Sequence, residues 1–142
     1  MVKRSLLLTL ILATIVGNNL LFAQAKSEFD EAFKLKVEKN AKEYFKNAPQ
    51  FRTAEYMPLY LEELSRIEIK TKPMEKGEHY VLLSSLQLLN KYNPELKRDN
   101  AKTFNPETFN PLKYNFYYFP KKDVIYRVDS TNYIIIIHPQ EQ

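Results

Sequence analysis

LKYNFYYFPKKDVIYRVDSTNYIIIIH, residues 112–138, holds three β-rich runs, Leu112 to Phe119, Asp123 to Asp129 and Asn132 to His138, with brief polar breaks between them. Pro120-Lys121-Lys122 and Ser130-Thr131 supply turn residues, so neighbouring runs are expected to pair antiparallel as a C-terminal β-meander. Tyr133-Ile134-Ile135-Ile136-Ile137 is apolar on both faces. Such a strand must lie inside a sheet or be covered on both sides, because an exposed edge of that kind aggregates.

Working back from there, Arg66-Ile67-Glu68-Ile69-Lys70-Thr71-Lys72 alternates strictly and predicts a half-buried strand ended by Pro73. Gly77 marks a turn. From His79 to Asn90 the apolar residues fit a helix (Leu82, Leu86, Leu89) or a strand (Tyr80, Leu82, Leu86, Leu88). The strand is favoured, since the 73–78 turn would pair it with the one before. Between residues 90 and 111 the chain repeats Asn-Pro at Asn93-Pro94, Asn105-Pro106 and Asn110-Pro111, which favours turns and predicts one long loop. Loops of that length tend to be functional or mobile. Its aromatic residues Tyr92, Phe104 and Phe109 equally suit pegs that pin it to the core.

Near the start, Ser27 stands three residues before Asp30, in the manner of a capping box. It opens an amphipathic run whose apolar members Phe29, Phe33, Val37, Tyr44 and Ala48 share one helical stripe. Lys34, Glu38, Lys39, Lys42, Glu43 and Lys46 make the solvated face, and Pro49 stops the run. The pattern from Phe51 to Tyr60 is weak, although Pro58 before Leu59, Leu61 and Leu64 suits a short helix with proline in its first turn.

These elements predict an α+β domain: one long N-terminal amphipathic helix packed on a mainly antiparallel sheet of four to five strands. The order of elements is similar to that of cystatin-like and nuclear-transport-factor-like folds. No function follows from such a layout.

Residues 1–25 read as a cleavable secretory signal peptide. Lys3 and Arg4 precede an apolar run from Leu6 to Val16, and Ala23-Gln24-Ala25 is a small-x-small cleavage site. The whole run from Ser5 to Phe22 is interrupted by Gly17-Asn18-Asn19 and falls short of the roughly 20 apolar residues of a spanning helix. The leader resembles bacterial ones, so a periplasmic or secreted destination is expected. Residues 26–142 then form a single domain, with the long loop at 90–111.

With the leader removed, 19 basic and 17 acidic residues leave a net charge of +2. That balance argues against nucleic acid or an anionic membrane as partner. The absence of cysteine excludes thiolate chemistry, disulfides and sulfur-ligated zinc. Gly77 is the sole glycine after the leader, so no glycine-rich phosphate loop exists. His79 and His138 lack metal-ligand spacing, and Ser65, Ser84, Ser85 and Ser130 lack a nucleophile-elbow motif. The adjacent carboxylates Glu62 and Glu63 would diverge on a helix. No catalytic residue, metal or cofactor is therefore assigned.

What remains is aromatic density. If Tyr114, Phe116 and Tyr118 face the helix, then Lys113, Asn115, Tyr117 and Arg127 share the opposite sheet face with Ile125, Ile134 and Ile136. That mixed face, with the aromatic loop, is the candidate surface for a protein, peptide or glycan. The expected function is a non-enzymatic exported binding or interaction module. A small periplasmic hydrolase or lyase is the alternative, and self-association through the Ile-rich strand is a third reading.

Overall fold

Asp30 caps the first helix of the computed structural model, which describes residues 29–46, 48 and 51–140. Its Oδ1 accepts from the Phe33 N–H at 2.8 Å, a contact typically worth about 1 kcal/mol. The expected signal peptide at 1–25, its cleavage site and the Ser27 cap lie outside the described residues. The chain divides into two units, Met1–Phe33 and Lys34–Gln142. The second holds the sheet and all the tertiary packing described here.

Helix α1 spans Glu31–Tyr44, with Glu31 in its first turn and Lys42 in its last, both favourable to the helix dipole. Val37 and Ala41, four residues apart, are buried, and so is Phe45 just past the helix end. On the solvated side Glu38 and Lys42, one turn apart, pair at 2.6 Å. Pairs of this kind add a few tenths of a kcal/mol at most, so packing holds the helix.

Helix α2 spans Phe51–Ser65 and carries Pro58 in its interior. The expectation of a short helix with Pro58 in its first turn is thus corrected, and the described residues hold two long helices rather than one. An interior proline removes the hydrogen bond to the carbonyl four residues back. Here Pro58 and Ala54 are both exposed, so water can take that carbonyl.

Four strands form one mixed sheet: β1 (Ile67–Thr71), β2 (Val81–Leu82), β3 (Val124–Arg127) and β4 (Tyr133–Ile137), in the order β1-β4-β3-β2. β4 pairs antiparallel with both neighbours, Ile135 lying opposite Ile69 on one side and Tyr126 on the other. Its two-sided apolar run is accordingly interior, and Ile134 to Ile137 are all buried. The β3–β4 turn is closed by Val128 N–H to Tyr133 O at 3.0 Å, with Ser130 at φ 57°.

Two expectations about strands are corrected. The chain from 79 to 90 gives only the two-residue β2, which pairs parallel with β3 and leaves β1 to β4. It then enters a 3-10 turn at Leu83–Ser85. The expected strand at 112–119 does not join the sheet, so the meander reduces to a hairpin. The Asn110 side chain accepts from the Leu112 N–H at 3.0 Å and sets a 3-10 turn over Pro111–Lys113. Beyond it, a single bridge joins Tyr114 to Leu88. Aromatic residues at every second position predicted a ladder, but here they serve as inserted wedges.

The Asn-Pro loop is the middle layer of the fold. Phe109, Tyr114 and Phe116 pack with Leu83 onto the sheet face formed by Tyr126, Val128, Ile135 and Ile137. On its other side the loop holds α1: Asn110 Nδ2 donates to Asn40 O at 3.0 Å and to Glu43 Oε2 at 2.8 Å. Asn93 Nδ2 donates to Glu43 O at 2.8 Å, and the rings of Tyr44 and Tyr92 meet edge to face at 5.7 Å. The helix expected to lie across the sheet therefore rests on the loop. This departs from the helix-on-sheet layout to which the element order is similar.

Candidate functional site

The four candidate residues have no partner in common. Lys113 is buried, with Nζ 2.7 Å from Asp99 Oδ2 and 3.2 Å from the Lys97 carbonyl. The Tyr114 hydroxyl donates to the same Asp99 carboxylate at 2.8 Å. This knot ties the loop to the core. Arg127 is 3% exposed; Nη1 and Nη2 donate to Thr131 O and Lys72 O, each at 3.0 Å, and its guanidinium stacks 4.4 Å from the Tyr80 ring. Ile134 and Ile136, in register with Arg127 and Ile125, are buried as well. The expected open sheet face is closed at its centre. Asn115 is exposed, and Tyr117 is 57% exposed with its N–H directed to the Tyr126 hydroxyl.

The hydrolase expectation finds little assembled machinery. His138 sits between two carboxylates, Nδ1 2.9 Å from Asp123 and Nε2 3.3 Å from Glu68. Ser84 bonds Asp129, while Ser65 and Ser85 donate back to backbone carbonyls at 2.7 and 2.6 Å. Among the described residues no group of three or more His, Asp or Glu could hold a metal ion. No described helix is long and apolar enough to cross a membrane.

A cavity of about 200 Å³ opens where α2 meets the 112–118 segment. Tyr60 and Glu63 line it from one turn of α2, Tyr44 from the end of α1, and Tyr114, Phe116 and Tyr118 from the wedge segment. Asn115 also lines it, the one sequence-derived candidate to do so. The Tyr118 hydroxyl is fully buried and has no hydrogen-bond partner. Burial pushes its pKa far up, and so does the nearby Glu63 charge.

Glu63 is itself buried. Desolvation raises its carboxyl pKa above the ordinary 4.5, Arg66 pulls it down, and Glu62 adds to the rise. Arg66 gives Nη1 to the carbonyls of Tyr118 at 2.7 Å and His138 at 3.4 Å. No salt bridge engages Glu63 among the described residues.

The sign of the linkage follows. A carboxyl whose folded pKa is raised favours folding below its unfolded pKa, and this contribution is lost as pH rises through the folded pKa. Glu63→Gln should match the parent in stability near pH 4 and gain on it progressively above about pH 4.5. Denaturant midpoints measured across that window check the sign; a parent that gains on the variant with rising pH would reverse it.

Neither Glu63 nor Tyr118 was singled out by sequence reasoning for this site. One signal was available: Tyr56, Tyr60 and Glu63 fall at helical spacing on one stripe. An acid on the inward stripe of a helix marks a site, provided that the helix is read from Phe51 and not from Pro58. Comparison of the chain with family models, with curated proteins and with solved structures finds no match.

Proposed function

We propose that the chain is an exported, non-enzymatic binding module, periplasmic or secreted, whose ligand site is the tyrosine-lined cavity. The sheet face expected to carry the function gives way to the cavity, and Asn115 is retained on its wall. The observation that carries this reading is the unpartnered Tyr118 hydroxyl. Buried polar groups are almost always hydrogen-bonded, and leaving one unmade costs about 1–3 kcal/mol. The phenol is closed to solvent in this structure, so a ligand in the cavity would reach it through a small rotation of the Tyr118 side chain. Binding rather than catalysis is favoured because Glu63 is the one carboxyl lining the cavity, and no serine, histidine or second acid joins it there.

Tyr118→Phe separates binding from folding. The variant should unfold at the parent midpoint or up to about 1 kcal/mol above it, because the lost hydroxyl makes no bond. In a nuclear magnetic resonance screen of small ring compounds, hits on the parent should shift the amides of residues 60–63 and 114–118. The same hits should weaken by about tenfold on Tyr118→Phe, the loss of one hydrogen bond. Hits that map elsewhere, or a screen with none, would assign the phenol to an ordered water and overturn the proposal.

A further inference from the structure

We propose that the cavity takes a small organic cation, an ammonium carrying methyl groups and one hydrogen-bonding substituent. The proposal rests on the reading of the cavity as a ligand site and adds the ligand's charge. Five of the lining residues are aromatic, Tyr44, Tyr60, Tyr114, Phe116 and Tyr118, and the single formal charge among them is the Glu63 carboxylate. Aromatic faces attract cations through the ring quadrupole, and the attraction is strongest where water is excluded. An anion would be repelled by the rings and the carboxylate alike. A neutral ligand would satisfy the phenol and leave the acid uncompensated.

Nearby cations do not fill that role. Arg66 lowers the Glu63 pKa from a distance, but its Nη1 is committed to the Tyr118 and His138 carbonyls and its Nε to Glu62 O at 3.5 Å. A bound ammonium would supply the missing counter-charge and favour the ionised acid. Size fits as well: the cavity is about 200 Å³, and a cavity of about 150 Å³ already accepts benzene. A trimethylammonium head with a short hydroxyl arm belongs to that size class. With a small rotation of the Tyr118 ring, whose hydroxyl is closed to solvent in this structure, the arm's hydroxyl would reach the phenol.

Choline and its neutral isostere, in which carbon replaces the nitrogen, are the probes for the purified chain. Titration by calorimetry and amide shifts should show choline binding at residues 60–63 and 114–118, with the isostere weaker by about tenfold or more. Glu63→Gln, confirmed as folded by its unfolding transition, should lose that preference. If the isostere binds as tightly as choline at the same residues, the cation proposal falls while the cavity remains a ligand site. If neither probe binds and a neutral ring compound does, the same conclusion holds. If nothing binds there at all, both readings fall together.

Discussion

Phe109→Ala is expected to cost about 3–5 kcal/mol, the usual range for truncating a core aromatic. Phe109 belongs to a segment that sequence patterning presents as loop, yet it is 3% exposed. Its ring lies 5.1 Å from Phe104, 5.8 Å from Tyr114 and 6.4 Å from Phe116. Removing it opens a void between the sheet and the layer that carries α1, where rings from three neighbouring residues lose contacts together. The wall can collapse only partly, because Asn110 beside it is anchored to Asn40 and Glu43. Thr108→Ala, one residue away and exposed, should change stability by less than about 0.5 kcal/mol. Urea midpoints at constant slope are the measurement. Similar small shifts for both variants would mean that the loop is a surface feature and not a layer of the core.

Arg127→Ala should cost about 2–4 kcal/mol, although the position looked like a surface one. The guanidinium holds two backbone carbonyls, Thr131 O in the β3–β4 turn and Lys72 O just past β1, so it staples three strands at one end of the sheet. Truncation leaves both carbonyls without their donor, at about 1–3 kcal/mol each, and removes the stacking on Tyr80. Part of this is offset, since Ala no longer buries a charge, and Nε makes no bond in the parent. Arg127→Lys should keep the charge and recover less than half of the loss, because one ammonium cannot reproduce the guanidinium fork. Tyr117→Ala, exposed, should stay within about 0.5 kcal/mol of the parent. A Tyr117→Ala variant as unstable as Arg127→Ala would show that the open and covered residues have been exchanged.

The candidate site was legible only in fragments. Alternation placed Asn115, Tyr117 and Arg127 on one side of the expected sheet, but an alternating pattern gives sides only where a ladder exists. Without one, Lys113 turned inward to Asp99 while Asn115 reached the cavity wall. Glu63 was discounted because it and Glu62 would diverge on a helix. They do: Glu62 is exposed and Glu63 buried, and that divergence is what places a lone acid against the tyrosines.

Local periodicity by itself determined the α+β class, the amphipathic face of α1 around Val37, the strand Ile67–Thr71 and the β3–β4 hairpin with its turn at Ser130. It also determined that Tyr133–Ile137 must be interior, since apolar side chains on both faces leave no side for water. Each of these depends on residues within a few positions of one another. The tertiary structure alone decided that β2 lies parallel to β3, that α1 rests on the Asn-Pro loop, and that the tyrosines of α2 and the wedge segment line one open cavity. Those outcomes come from competition for buried surface: Asn110 caps a 3-10 turn where a ladder was expected, and the aromatic side chains fill the space between sheet and helix. Such choices rest on partners about 70 residues apart, as Asn110 and Asn40 are, and periodicity carries no record of them.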